Sequence, residues 1–324
     1  MSKNGISEFA AAAALVLSGT SAHGQEARPS PRVSVAIIDI SADKILQDDP
    51  AVRVIQLNPT PPEGHIFAKK QYDKGDHGDY VASAFVSEFR KMDKSTQVDM
   101  YSINPFLQKN TRMMFSRKII SDAIPTLKAK GVKVVITSFG IANKEAGDAI
   151  VNEFNKAGMV VFAAIPNSVD DEGIYPAANR QTISIGDENG TRAPLARRKD
   201  WAEWVNFSMN GEMEGVHGGP SGASFAVAKA AAYGAKLAMS NPDITVDAMR
   251  EGMAEHSQSP IYGAVRRIGA PEMISSFARF IPVVTASRDA PVTPVPAEVS
   301  AAPVAQPSPA VRAAMMAKRA GMGF

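Results

Sequence analysis

Ser221 stands in Gly219-Pro220-Ser221-Gly222-Ala223-Ser224-Phe225-Ala226, a glycine-bounded turn that opens an alanine-rich run ending at Ala238. A hydroxyl there sits at the positive end of a helix, where backbone N–H groups have no intrahelical partner. Exposure on a sharp turn, with donors ready for a developing oxyanion, is what a nucleophilic serine requires. The same residues also suit a plain helix cap or close helix packing. Serine further needs a base to take its proton during attack, and the chain offers five histidines: His23, His65, His77, His217 and His256. His77 lies in Asp76-His77-Gly78-Asp79, directly before Val81, Phe85, Val86 and Phe89 at helical spacing. Asp39 closes the apolar run 33–38, and Asn167 follows the run 159–165 and Pro166. Taken singly, Asp39 reads as a cap, His77 as a helix-entry residue and Asn167 as a turn former. There is no cysteine, which excludes thiol catalysis, disulfides and Cys-based zinc sites.

The elements that must position these residues alternate along the chain. Residues 33–38, 98–103, 132–137, 159–165 and 182–186 read as apolar strands. Between them, Ile119, Ile120, Ala123, Ile124 and Leu127 mark a helix with a bend expected at Pro125. Ile150, Val151 and Phe154 mark another, and Gly131 and Gly158 are the expected stops. Strict alternation of the two periods predicts an α/β fold: a mostly parallel sheet covered by helices on both faces. Ligands bind beyond the carboxyl ends of such strands, where Asp39, Ser138-Phe139-Gly140 and Pro166-Asn167 fall. Ile40-Ser41-Ala42-Asp43 follows the first strand in place of a glycine-rich phosphate loop, so a dinucleotide site is not expected. The 35 Lys+Arg and 33 Asp+Glu give a net charge of +2. Both signs are interspersed, which argues against nucleic acid as a partner.

Five segments, in order, resemble the subtilisin-like serine proteases. Val35-Ala36-Ile37-Ile38-Asp39 is similar to the strand bearing that family's aspartate, and Asp76-His77-Gly78-Asp79-Tyr80-Val81-Ala82 to its His-Gly-Thr-His-Val-Ala helix start. Thr137-Ser138-Phe139-Gly140 resembles its Ser-Leu-Gly substrate strand, and residues 160–167 the strand leading to an oxyanion asparagine. Gly219-Pro220-Ser221-Gly222-Ala223-Ser224 is similar to Gly-Thr-Ser-Met-Ala-Ser. The resemblance spans residues 32–260 and implies a three-layer, twisted parallel sheet. It also implies a serine endopeptidase acting on polypeptides, with Asp39, His77 and Ser221 as the triad. Asn167 would be an oxyanion donor, and Ser138, Phe139 and Gly140 would bind the extended substrate.

The pattern also departs from the family. Asp79 and Tyr80 replace Thr and His, Pro166 and Pro220 replace Gly and Thr, and Phe225 stands where Pro is usual. These changes keep a second reading open: a catalytically weak pseudo-protease acting as a peptide-binding module. Asp170-Asp171-Glu172 would either favour a basic substrate residue or form a solvated acidic loop. No cofactor is expected; calcium, common in the family, has no ligand loop that can be placed in the sequence. Residues 1–24 hold a short apolar run at 9–17 and are expected to be an export signal or a mobile arm. Export would make the protein secreted or periplasmic, the alternative being cytoplasmic. Residues 25–284 are expected to form the catalytic domain. Residues 285–324 are Pro/Ala-rich and expected to form a disordered tail; its basic, methionine-rich end, 311–324, reads either as a frayed end or as a contact for a partner or membrane. No stable membrane span is expected, and too few residues precede the first strand for the folding prodomain that most secreted members carry.

Overall fold

A computed structural model describes residues 31–40, 42, 49–58, 76–109, 112–168, 171–188, 201, 203–213, 221–257, 260–262 and 265–268. All belong to the unit Met1–Pro282. The expected export signal, the C-terminal tail, Asp170 and the Gly219-Pro220 dipeptide lie outside the described residues, as do His23, His65 and His217.

In chain order the elements are β1 (Arg32–Ile38), β2 (Val52–Gln56), α1 (His77–Met92), β3 (Gln97–Ile103), β4 (Phe106–Lys109), β5 (Arg112–Phe115) and α2 (Arg117–Ala129). They continue with β6 (Val134–Thr137), α3 (Lys144–Lys156), β7 (Val160–Ala164), β8 (Thr182–Asp187), β9 (Phe207–Met209) and α4 (Ala223–Ser240). The last are α5 (Val246–Glu255), β10 (Pro260–Tyr262) and β11 (Val265–Arg267). Nine strands form one sheet in the order β10-β11-β9-β8-β7-β6-β1-β3-β2, while β4 and β5 make a separate hairpin. Every pairing in the large sheet is parallel except β10 with β11.

Strand alternation divides the core in two. Val33, Val35 and Ile37 of β1 join Val134 and Ile136 of β6 and Phe162 of β7 on one face, under α1, α4 and α5. Ala36, Ile38, Val135 and Val161 point the other way, onto Ile120 and Leu127 of α2 and Ile150 and Phe154 of α3. Burial on both faces explains why these strands read as continuous apolar runs. The result is the expected three-layer α/β fold. Short or half-exposed elements escaped sequence reading: β2 keeps only Val52 fully buried, and β9, β10 and β11 have three residues each. The expected strand 132–137 begins at Val134, because Gly131 adopts φ 69 after α2 and Val132 still serves that helix end through its N–H to the Leu127 carbonyl.

Almost every residue of α4 is buried, as befits a helix enclosed on all sides. Its alanines let it approach both α1 and the sheet. At Gly234 a Cβ would meet Phe162 Cζ at 2.3 Å. Two polar bonds cross from α4 to α1 and the residue after it: Tyr233 donates to Glu88 Oε1 at 2.7 Å, and Lys236 Nζ meets Asp93 Oδ2 at 2.7 Å. Lys236 is 2 % exposed. Burial opposes ionisation of Asp93, but Lys236, Thr96 and their hydrogen bonds prevail and hold its carboxyl far below 3.8.

Lys236→Met should therefore destabilise the fold by about 2 kcal/mol near neutral pH, the scale of a hydrogen bond to a charged group, because Ser95 and Thr96 still donate to the Asp93 carboxylate. A depressed carboxylate pKa contributes stability above its unfolded value and loses it as pH falls. The gap between variant and native protein in urea unfolding should thus shrink below pH 3.8. A gap independent of pH would remove Asp93 from the account.

Candidate active site

The sheet order places β7, β6 and β1 side by side. The residues just beyond their carboxyl ends, Asn167, Ser138 and Asp39, therefore share one edge of the fold. The chain leaves β1 toward β3 on one side and later returns to β6 on the other, which makes this edge a switch point of the topology. α1 and α4 pack together on one face and bring His77 and the Ser221 turn to that edge.

His77 is the first residue of α1, whose start is fixed by a capping box between Asp76 and Asp79. The Asp79 carboxylate accepts the Asp76 N–H at 2.8 Å, so this acid serves the helix end. The His77 ring meets Asp39 through Nδ1, at 2.8 Å from Oδ2 and 3.0 Å from Oδ1. An Nδ1–H donated to the carboxylate leaves Nε2 as the proton-accepting nitrogen of the neutral ring. Asp39 also accepts the Ile40 N–H at 2.6 Å and the Ser138 hydroxyl. Burial alone would raise the Asp39 carboxyl. The charge and hydrogen bond of His77, joined by Ser138 and Ile40, outweigh it and hold Asp39 below 3.8. Burial alone would lower His77, but the Asp39 charge and hydrogen bond prevail and hold the imidazole above 6.5. The Phe225 ring lies 5.6 Å from the His77 ring, centroid to centroid, and ties the start of α4 to the histidine.

Ser221 is exposed. α4 begins at Ala223 with Gly222 as its cap, so the serine precedes the cap. Gly222 has φ 145, a value that favours glycine, and a Cβ there would lie 3.1 Å from Asn167 Oδ1. The Ala223 N–H donates to that same oxygen at 2.9 Å. This bond fixes the Asn167 amide orientation, because its oxygen is committed to the helix start. Ser221 and His77 make no hydrogen bond with each other among the described residues, and such bonds often tighten only when substrate is bound.

The expected substrate segment has several duties. Besides the Ser138 hydroxyl on Asp39, the Ser138 carbonyl accepts from Ser224 Oγ at 3.2 Å. Phe139 packs on Phe106 and Phe115 of the β4–β5 hairpin, with centroids 5.6 and 5.3 Å away. Gly140 is exposed and touches Gly173: a Cβ on it would fall 1.7 Å from the Gly173 carbonyl oxygen. Asp171, in the acidic stretch, accepts the Gly173 N–H at 2.7 Å and is exposed. Ser224, Gly222 and Phe225 also border the site. The only signal for them in the sequence is their place inside the Ser221 motif. Among the described residues no group of three or more His, Asp or Glu side chains converges to hold a metal.

An α/β sheet with a serine, a His–Asp pair and an asparagine amide at its switch point defines the class of serine hydrolases. The subtilase family model matches residues 58–270, more than half of the chain. The chain belongs to the subtilase family, a family of serine peptidases. The matched stretch includes His77, Ser138, Asn167 and Ser221; Asp39 lies before it and is placed by the fold. No curated protein matches the chain.

The pKa directions give the pair a testable signature. Asp39 stabilises the fold above 3.8 and loses that contribution as pH falls; His77 contributes below 6.5 and loses it as pH rises through its raised value. In an NMR titration His77 should change charge above pH 6.5 in the native protein. It should do so at a lower pH in Asp39→Asn, where the carboxylate charge that raises it is gone. A midpoint that ignores the substitution would show that Asp39 does not govern the ring.

Proposed function

We propose that the protein is a serine endopeptidase in which Ser221 is the nucleophile, His77 the general base and Asp39 its orienting anion. The observation that carries this reading is the His77–Asp39 pair, set at the same sheet edge as an Asn167 amide whose oxygen is bonded to the turn after Ser221. In the first half-reaction Ser221 Oγ attacks the scissile carbonyl carbon while His77 Nε2 takes its proton. Asn167 Nδ2 and the Ser221 N–H donate to the oxyanion. Collapse breaks the C–N bond, and His77 returns its proton to the leaving amine. In the second, water adds to the acyl-enzyme with its proton passing to His77, and the ester bond breaks as His77 returns that proton to Ser221 Oγ. Residues 138–140 would pair with the extended substrate backbone. Because His77 must be neutral to act and its pKa is raised, activity should grow as pH rises past 6.5.

With residues 9–17 read as an export core, the enzyme acts outside the cytoplasm. N-terminal sequencing of the chain from its natural host should find residues 1–24 removed, and retention of Met1 overturns this placement.

Ser221→Ala should abolish both peptide hydrolysis and labelling by a fluorophosphonate while leaving the melting temperature unchanged. Asn167→Leu should cost about 10²–10³ in turnover, the magnitude known for one such donor in this family. A native protein that binds peptides but is not labelled would instead be a peptide-binding module. Labelling that persists in Ser221→Ala would place the nucleophile elsewhere.

A further inference from the structure

The turn carrying Ser221 is held from behind as well as from the Asn167 side. Beyond β9 the chain runs through Asn210, Gly211 and Glu212. Gly211 lies against Gly222 so closely that a Cβ on it would fall 2.2 Å from the Gly222 carbonyl oxygen. Two backbones in such contact cannot shift independently. The segment is in turn fixed by two buried charged side chains. Asp187, the last residue of β8, accepts the Gly211 N–H at 2.9 Å. Lys229 reaches back from α4, its Nζ donating to the Asn210 carbonyl at 3.1 Å and the Glu212 carbonyl at 2.5 Å.

Lys229 is 6 % exposed and stands between Ala228 and Ala230 in a helix otherwise built to fill space. An alanine at this position would avoid the cost of desolvating an ammonium group, a cost repaid only where its donors are used. Both of these bonds go to one segment, and that segment touches the residue after Ser221.

We propose that Lys229 is a positioning residue for the nucleophile turn. Its ammonium fixes Asn210 and Glu212, Gly211 transmits that position to Gly222, and Gly222 sets the direction of the Ser221 N–H and hydroxyl. The catalytic part of this inference rests on Ser221 being the nucleophile; the mechanical part does not.

The test uses the full chain carrying Lys229→Met, Lys229→Arg or Gly211→Ala. Hydrogen exchange of the Ala223 amide reports the turn directly. The fluorophosphonate labelling rate, with kcat and KM on a peptide substrate, reports its chemistry. Lys229→Met should exchange faster at Ala223 and lose about 10²-fold in labelling rate and kcat, the scale of a small misplacement. KM should stay near the native value, because residues 138–140 are untouched. Lys229→Arg, which keeps a charged donor, should recover most of both. Gly211→Ala should reproduce the loss with Lys229 intact, and it decides the matter if Lys229→Met does not fold. Native exchange at Ala223 in a folded Lys229→Met, or an undiminished kcat, overturns the proposal. A native protein that is not labelled refutes the nucleophile reading alone, and the exchange comparison still decides whether Lys229 holds the turn.

Discussion

Close packing of α4 against α1 and the sheet is the constraint on which the rest of the structure depends. Both helices present an N-terminal end at the same sheet edge, and the residues there have little freedom of their own. Their relative position is set about three to four turns away by Phe162 against Gly234, by Tyr233 on Glu88 and by Lys236 on Asp93. Apolar contact supplies most of the attraction between such layers, but it is non-directional. The two polar bonds specify register, since a shift of α4 along α1 would part Tyr233 from Glu88 and Lys236 from Asp93.

The electrostatics of the site follow from that geometry. Asp39 is buried at the end of a central strand, so every donor that reaches it counts for more than it would in water. Three groups from three elements converge on it: the Ile40 N–H, the Ser138 hydroxyl after β6 and the His77 ring from α1. The carboxylate remains ionised in spite of burial, and the imidazole beside it is held above its ordinary pKa. A raised histidine pKa makes a stronger base at the price of a smaller neutral fraction below that pKa. The ring is thus neutral only above its raised pKa.

Much of this arrangement was legible in the sequence because central parallel strands are apolar on both faces and end abruptly in polar residues. The runs before Asp39 and Asn167 are of that kind, and the alternation with helical spacing predicted the three layers. What could not be read depends on contacts distant in sequence. Ser138 looked like a substrate-strand residue, and nothing local indicates that its hydroxyl meets a carboxylate 99 positions away. The hairpin of β4 and β5 carries no strong period, because its shape comes from Phe106 and Phe115 packing on each other and on Phe139. Lys229 and Lys236 stand among alanines with nothing local to mark them as interior, yet both are buried and bonded.

The departures from the family pattern also acquire physical reasons. Asp79 beside the histidine is engaged in the capping box of α1. Phe225, in a position where proline is usual, turns its ring toward His77 and closes one side of the imidazole. Gly222 replaces a methionine, and its φ of 145 together with the nearness of Asn167 explains why a side chain is absent there. That conformation starts α4 one residue beyond the cap and commits the Ala223 N–H to Asn167. The Asn167 side chain thus closes the start of the helix through its oxygen while lying against Gly222, the residue after Ser221. A change on either side of this turn, at Gly211 or at Asn167, acts on the same few backbone atoms, so the geometry of the Ser221 turn and the packing of α4 are one mechanical problem.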